Sequence, residues 1–85
     1  MDIVWDEPKR GTNFENRGLD FADLDPDFFA ASVVVPARDG RFKAIGPFRG
    51  DILAVIFKPL GSEALSVISM RRASRKERKT YDQAN

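Results

Sequence analysis

Six cationic side chains crowd the last fifteen residues: Arg71, Arg72, Arg75, Lys76, Arg78 and Lys79. Only Glu77 and Asp82 oppose them, so residues 71–85 carry a charge of +4. Arg71, Arg75 and Arg78 fall at i, i+4 and i+7, and a helix extended back to Arg71 would present them in one row. Such a row neutralises successive phosphates, and each guanidinium can fork onto one of them. Arg41 and Lys43 stand two residues apart, on one face of a strand. If that face is open, a basic strip crosses the sheet beside the last helix. The ordinary alternative for both groups is a solvated charged surface.

The chain has no histidine and no cysteine. A histidine base, a thiol nucleophile, a disulfide scaffold and a His- or Cys-ligated zinc are therefore excluded. No residue pattern demands a metal or other cofactor. Cleavage of RNA remains feasible without them, because the ribose 2′-hydroxyl is itself the nucleophile. The protein must then align it with the phosphate, stabilise the developing charge with arginine, and move protons. Glu77, Lys43 and Tyr81 are the candidates for moving protons. Of the aromatic residues, Trp5 and Phe42 read as core. Phe48, next to Arg49, reads as an exposed aromatic at a hairpin tip, suited to a base or a protein partner. Taken alone, these residues describe a small domain with a basic face.

The elements that must position them fit one domain, residues 1–85. The chain is 42% hydrophobic, too apolar for disorder. Residues 1–30 carry −5 and residues 31–70 carry +2, so the chain is strongly dipolar. The longest apolar run, Ile52 to Phe57, is far short of a membrane span. No signal peptide is apparent, and a cytoplasmic location without membrane association is expected. Ile3-Val4-Trp5 predicts a short strand. Asp6 and Pro8 open a helix that Gly18 closes. Asp20 caps a second short helix carrying Phe21, Leu24 and Phe28, which Pro26 breaks or restarts. Four strands follow: Ser32–Val35, Arg41–Gly46, Ile52–Phe57 and Ala64–Met70, with Gly46–Gly50 as a connection. In the last strand Leu65 and Val67 face one side, Ile68 and Met70 the other. Ser74 and Glu77 form a capping box for a final helix with a thin inner stripe of Ala73, Tyr81 and Ala84. The class is α+β, a four-stranded antiparallel meander with a short additional N-terminal strand. Two N-terminal helices and one C-terminal helix pack on one face.

Several segments resemble the BrnT family of bacterial toxins. The opening Trp5-Asp6-Glu7-Pro8-Lys9, then Asn13, Gly18 and Phe21, is similar to the family's opening. Arg41–Gly46 and Leu53–Phe57 fit its paired strands. Val67–Ser74 with Glu77 and Tyr81 resembles its closing segment. The family's Lys-His-Gly stands here as Asn16-Arg17-Gly18. The resemblance implies a RelE-like fold and a metal-independent ribonuclease toxin of a type II toxin–antitoxin pair. Its implied partners are RNA, a BrnA-like ribbon-helix-helix antitoxin and, through that antitoxin, operator DNA. The resemblance carries over to Arg71, Glu77 and Tyr81 at the close and to Trp5 and Lys9 at the opening; with Lys43, taken from the strand pattern, Arg71, Glu77 and Tyr81 are the catalytic candidates. Arg41, Arg72, Arg75, Arg78 and Lys9 are expected to hold RNA, and Phe48 and Trp5 to meet the antitoxin. The alternatives are a catalytically silent relative that binds antitoxin or RNA, and a nucleic-acid-binding module with no toxin role.

Overall fold

An apolar run such as Ile52–Phe57 needs cover on both faces, and the chain sets it at the middle of a sheet. In the computed structural model, which describes residues 1–84, five strands lie in the order β1-β5-β4-β3-β2. They are β1 (Asp2–Trp5), β2 (Val33–Pro36), β3 (Phe42–Phe48), β4 (Asp51–Leu60) and β5 (Ala64–Arg72). Strands β2 to β5 form the expected antiparallel meander. The N-terminal strand joins it in parallel, with Ile3 opposite Leu65 and Trp5 opposite Val67. The short additional N-terminal strand thus extends the four-stranded antiparallel meander into a five-stranded sheet, and its parallel pairing makes that sheet mixed. The rest of the chain between β1 and β5 serves as the long crossover that a parallel pair requires.

Three α-helices accompany the sheet: α1 (Glu7–Arg17), α2 (Pro26–Ala30) and α3 (Arg75–Ala84). Asp6 caps α1 by accepting from the Lys9 N–H at 3.2 Å, and Gly18 closes it at φ 70°. The segment expected to be one interrupted helix is a single 3₁₀ turn, Phe21–Asp23, followed by α2, which Asp25 and Pro26 restart.

The helices do not share one face. Ala44, Leu53, Val55, Phe57, Leu65, Val67 and Met70 point toward Phe21, Leu24 and Phe28, which form the core with them. Lys43, Ile45, Ala54 and Arg71 alternate with those residues and lie on the opposite face, under α3. A register shift in the β4–β5 pairing sets this arrangement. Ile56 pairs with Ser69 and Phe57 with Val67, so Ile68 is left without a partner. This extra residue lets Val67 and Met70, three apart, both enter the core, at 1% and 0% exposure. Met70 therefore joins Leu65 and Val67, contrary to strict alternation from Ala64, and Arg71 turns to the α3 face.

The β3–β4 connection is also tighter than expected. Gly46, Pro47 and Phe48 remain in β3, paired with Leu53, Ile52 and Asp51. Only Arg49 and Gly50 turn the chain, at φ 48° and 84°, as a two-residue primed turn requires. Gly46 is needed for close approach: a Cβ there would strike the side chain of Ser32 and lie 3.1 Å from its Cα.

Candidate functional site

The thin apolar stripe of α3 is explained by what the helix buries instead. Its one buried residue is Glu77, 8% exposed. Arg71 grips the Glu77 carboxylate end-on, Nη1 donating to Oε1 at 2.6 Å and Nη2 to Oε2 at 2.9 Å. Lys43 Nζ lies 2.6 Å from Oε2. The Ser74 N–H donates to Oε1 at 2.9 Å, and the Glu77 N–H donates to Ser74 Oγ at 3.2 Å, completing the capping box. The Arg71 guanidinium, with Lys43 and the Ser74 N–H, holds the Glu77 carboxyl far below the usual carboxylate range, against the upward pull of burial. The same bonds raise the already high pKa of Arg71. Strands β3 and β5 and helix α3 thus meet at one carboxylate shared by two cations.

The other wall of the site is α1, whose attachment is unusual. None of its side chains is buried. It is held by polar contacts at the edge of β5, just beyond the point where β1 ends. Asn13 accepts from the Met70 N–H at 3.1 Å and donates to the Met70 carbonyl at 2.9 Å, as a neighbouring strand would. It also donates to the Leu19 carbonyl at 3.0 Å. Arg10 adds a fork onto Asp20, at 2.7 and 3.1 Å, which with the Ala22 N–H lowers the pKa of Asp20. Asn13→Ala is expected to lower the unfolding free energy by about 2 kcal/mol, through loss of three hydrogen bonds. A urea titration measures this, and a change below about 0.5 kcal/mol would mean that water replaces the latch without loss.

Between α1 and β5 lies an open groove of about 480 Å³. Lys9, Thr12, Asn16 and Arg17 line it from α1, and Ser69 and Arg71 from β5. No carboxylate and no aromatic ring contributes to its lining. Arg71 reaches both the groove and Glu77. Its end-on edge serves the carboxylate, and Nη1 also donates to the Arg72 carbonyl at 3.3 Å. The Nε–H and the second Nη2–H have no acceptor among the described residues, so the side edge of the guanidinium retains a bidentate fork.

The structure brings Arg71, Glu77 and Lys43 into contact, and Lys9 into the same groove as Arg71. Tyr81 is half-buried on α3, one turn beyond Glu77. The helical row of Arg71, Arg75 and Arg78 does not form. Arg71 ends a strand, α3 begins only at Arg75, and Arg75 and Arg78 are exposed on it. Arg41 precedes β3, half-buried, and Arg72 reaches Asp51 at 3.3 Å. The strand face bearing Lys43 is covered by α3, so no open basic strip crosses the sheet. Phe48 is not an exposed anchor: it packs on the core, its ring 6.5 Å from that of Phe28, with the Arg49 guanidinium 4.8 Å above it. Trp5 is half-buried, donates to Glu7 at 2.8 Å and lies under Arg10. Asn16 and Arg17 stand where the family has Lys-His, but no motif in the sequence marks them, or Thr12 and Ser69, as groove residues. The polar stripe at 9, 12 and 16 on α1 was the available signal.

The family model described as ribonuclease toxin, BrnT, of type II toxin–antitoxin system matches residues 5–77. The crystal structure of the Brucella abortus ribonuclease toxin BrnT is similar with a TM-score of 0.82 and 62% sequence identity, covering 88% of this chain and 99% of that one. No curated protein matches the chain. With the family match spanning most of its length, from the strand that carries Trp5 to the buried carboxylate of Glu77, the chain belongs to the BrnT family of ribonuclease toxins of type II toxin–antitoxin systems.

Proposed function

We propose that this chain cleaves RNA in the α1–β5 groove without a metal ion and thereby inhibits growth. The observation that carries this is Arg71 itself, which lines a groove with cations and hydroxyls while Glu77 holds its end edge and leaves its side-edge N–H groups without an acceptor among the described residues. A phosphodiester seated there places its non-bridging oxygens on the Nε–H and Nη2–H. The 2′-oxygen attacks phosphorus, the 5′-oxygen leaves, and a 2′,3′-cyclic phosphate and a 5′-hydroxyl result. Charge grows on the oxygens that Arg71 contacts, which is where a fixed donor lowers the barrier most. The proton leaves the 2′-oxygen and one is returned to the 5′-oxygen. Glu77 is poorly suited to carry either, because both its oxygens serve cations and its carboxyl stays ionised far below neutral pH. We assign Glu77, with Lys43 bound to the same carboxylate, to positioning Arg71, and keep Tyr81 as the proton-handling candidate.

The groove lining offers no carboxylate or imidazole to hold a divalent ion, which supports metal independence. We further propose a BrnA-like ribbon-helix-helix antitoxin as partner, an indirect link to operator DNA through it, and action in the cytoplasm. Trp5 and Phe48 would offer the antitoxin their partly open edges, and Arg41, Arg72, Arg75 and Arg78 flanking charge for RNA. The antiparallel part of the sheet with its helices is then read as RelE-like, and residues 1–85 as one toxin domain. A silent binder is the second reading, favoured by the occupied end edge of Arg71 and the absence of histidine. Cleavage of a labelled structured RNA by the purified chain in excess EDTA separates the two. We expect 5′-fragments ending in a cyclic phosphate. Intact RNA with folded protein would sink the metal-independent reading.

A further inference from the structure

The groove also specifies how its ligand is read, an inference that rests on the ribonuclease reading above. Lys9 and Arg17 lie eight residues apart on α1, about 12 Å along the helix axis. A stacked strand carries one phosphate per roughly 3.4 Å of its axis, so this length spans about three of them. Both side chains are exposed and neither forms an ion pair among the described residues. Arg71 lines the same groove from β5, with its side-edge N–H groups not engaged by Glu77. Between the cations stand Thr12, Asn16 and Ser69, whose hydroxyl and amide groups suit a ribose hydroxyl or a phosphate oxygen. Sequence-tolerant stacking of bases requires aromatic platforms, and the groove has none. The site is concave, whereas a duplex is read by elements that contact its shallow minor groove and flanking phosphates.

We propose that the α1–β5 groove is a backbone-reading channel for about three consecutive nucleotides of single-stranded RNA, anchored by Lys9, Arg17 and Arg71, with the bases left outside. Arg17 is thereby a substrate-binding residue.

Binding is measured by fluorescence anisotropy with labelled 2′-fluoro RNA nonamers, which cannot be cleaved because no 2′-hydroxyl is present. Three phosphate contacts predict a slope of about −2 for log K against log[KCl], and Lys9→Ala or Arg17→Ala each reduces its magnitude by about 0.7. Nonamers of A, C or U are expected to bind within about threefold of one another, and a duplex of equal length at least about tenfold more weakly. Slopes unchanged in both variants, tighter binding of the duplex, a base preference above about tenfold, or no binding by the wild type would each overturn the proposal. The expected binding pattern with no cleavage of natural RNA would leave the channel standing and remove the ribonuclease reading. Cleavage with unaltered slopes would do the reverse.

Discussion

Glu77→Ala is expected to remove about 2–4 kcal/mol of folding stability. The wild-type carboxylate satisfies Arg71, Lys43 and the Ser74 N–H together. Its removal leaves two half-buried cations facing each other and takes away the carboxylate half of the capping box, while the backbone N–H of residue 77 still donates to Ser74 Oγ. The lower end of the range applies if Lys43 and Arg71, whose side chains are 26% and 32% exposed, swing into water. A domain of this size has roughly 4–13 kcal/mol in total, so the change is large by any measure. Chemical denaturation at neutral pH reads it directly, and a loss under about 1 kcal/mol would show that α3 does not depend on the network. Acid supplies an independent check. The folded-state pKa of Glu77 is depressed below its ordinary value of 4.5. Its contribution is complete above that value and is lost as pH falls toward the folded pKa, so wild-type stability should decline from about pH 5 downward. Glu77→Gln should be less stable at neutral pH and show a flatter acid limb. An identical limb would assign the acid loss to other carboxylates.

The capping box at Ser74 and Glu77 was legible in the sequence, and so was the residue type of the network, but not its meaning. A helix with only Ala73, Tyr81 and Ala84 for an inner stripe looks weakly docked when docking is equated with apolar burial. The structure docks it through an ion cluster, and no periodicity of hydrophobic residues announces that. The central position of β4 was readable because Ile52–Phe57 is apolar on both faces. The unpaired Ile68 was not, since Ala64–Arg72 reads equally well as a regular strand, and this one residue decides which face Arg71 takes. The groove is not legible in the sequence for a related reason. Apart from an exposed Phe14 the α1 sequence is polar, and only the latch from Asn13 to Met70 shows which polar stripe faces the site. The family's segments, by contrast, sat at matched spacing along nearly the whole chain, and the family match from 5 to 77 follows them.

Arg71→Lys is expected to separate charge from geometry at the site. Arg71→Ala should lower kcat by about 10²–10³, the usual loss when one donor to a developing oxyanion is removed. It also leaves Glu77 with Lys43 and the Ser74 N–H alone, so lost activity by itself does not exclude a damaged fold. Lysine retains the positive charge and can reach Glu77, so much of the stability lost in the alanine variant should return. It lacks the second edge. A single ammonium cannot hold the carboxylate end-on and still present two fixed N–H groups to a phosphate. Cleavage by Arg71→Lys should therefore fall nearly as far as in Arg71→Ala, with the loss in kcat rather than KM if Lys9 and Arg17 carry most of the binding. Stability recovered without activity would identify the forked guanidinium, held by one carboxylate and turned toward another anion, as the group that accelerates the reaction. Near wild-type cleavage by the lysine variant would reduce Arg71 to a positive charge and require the two-edged geometry to be abandoned.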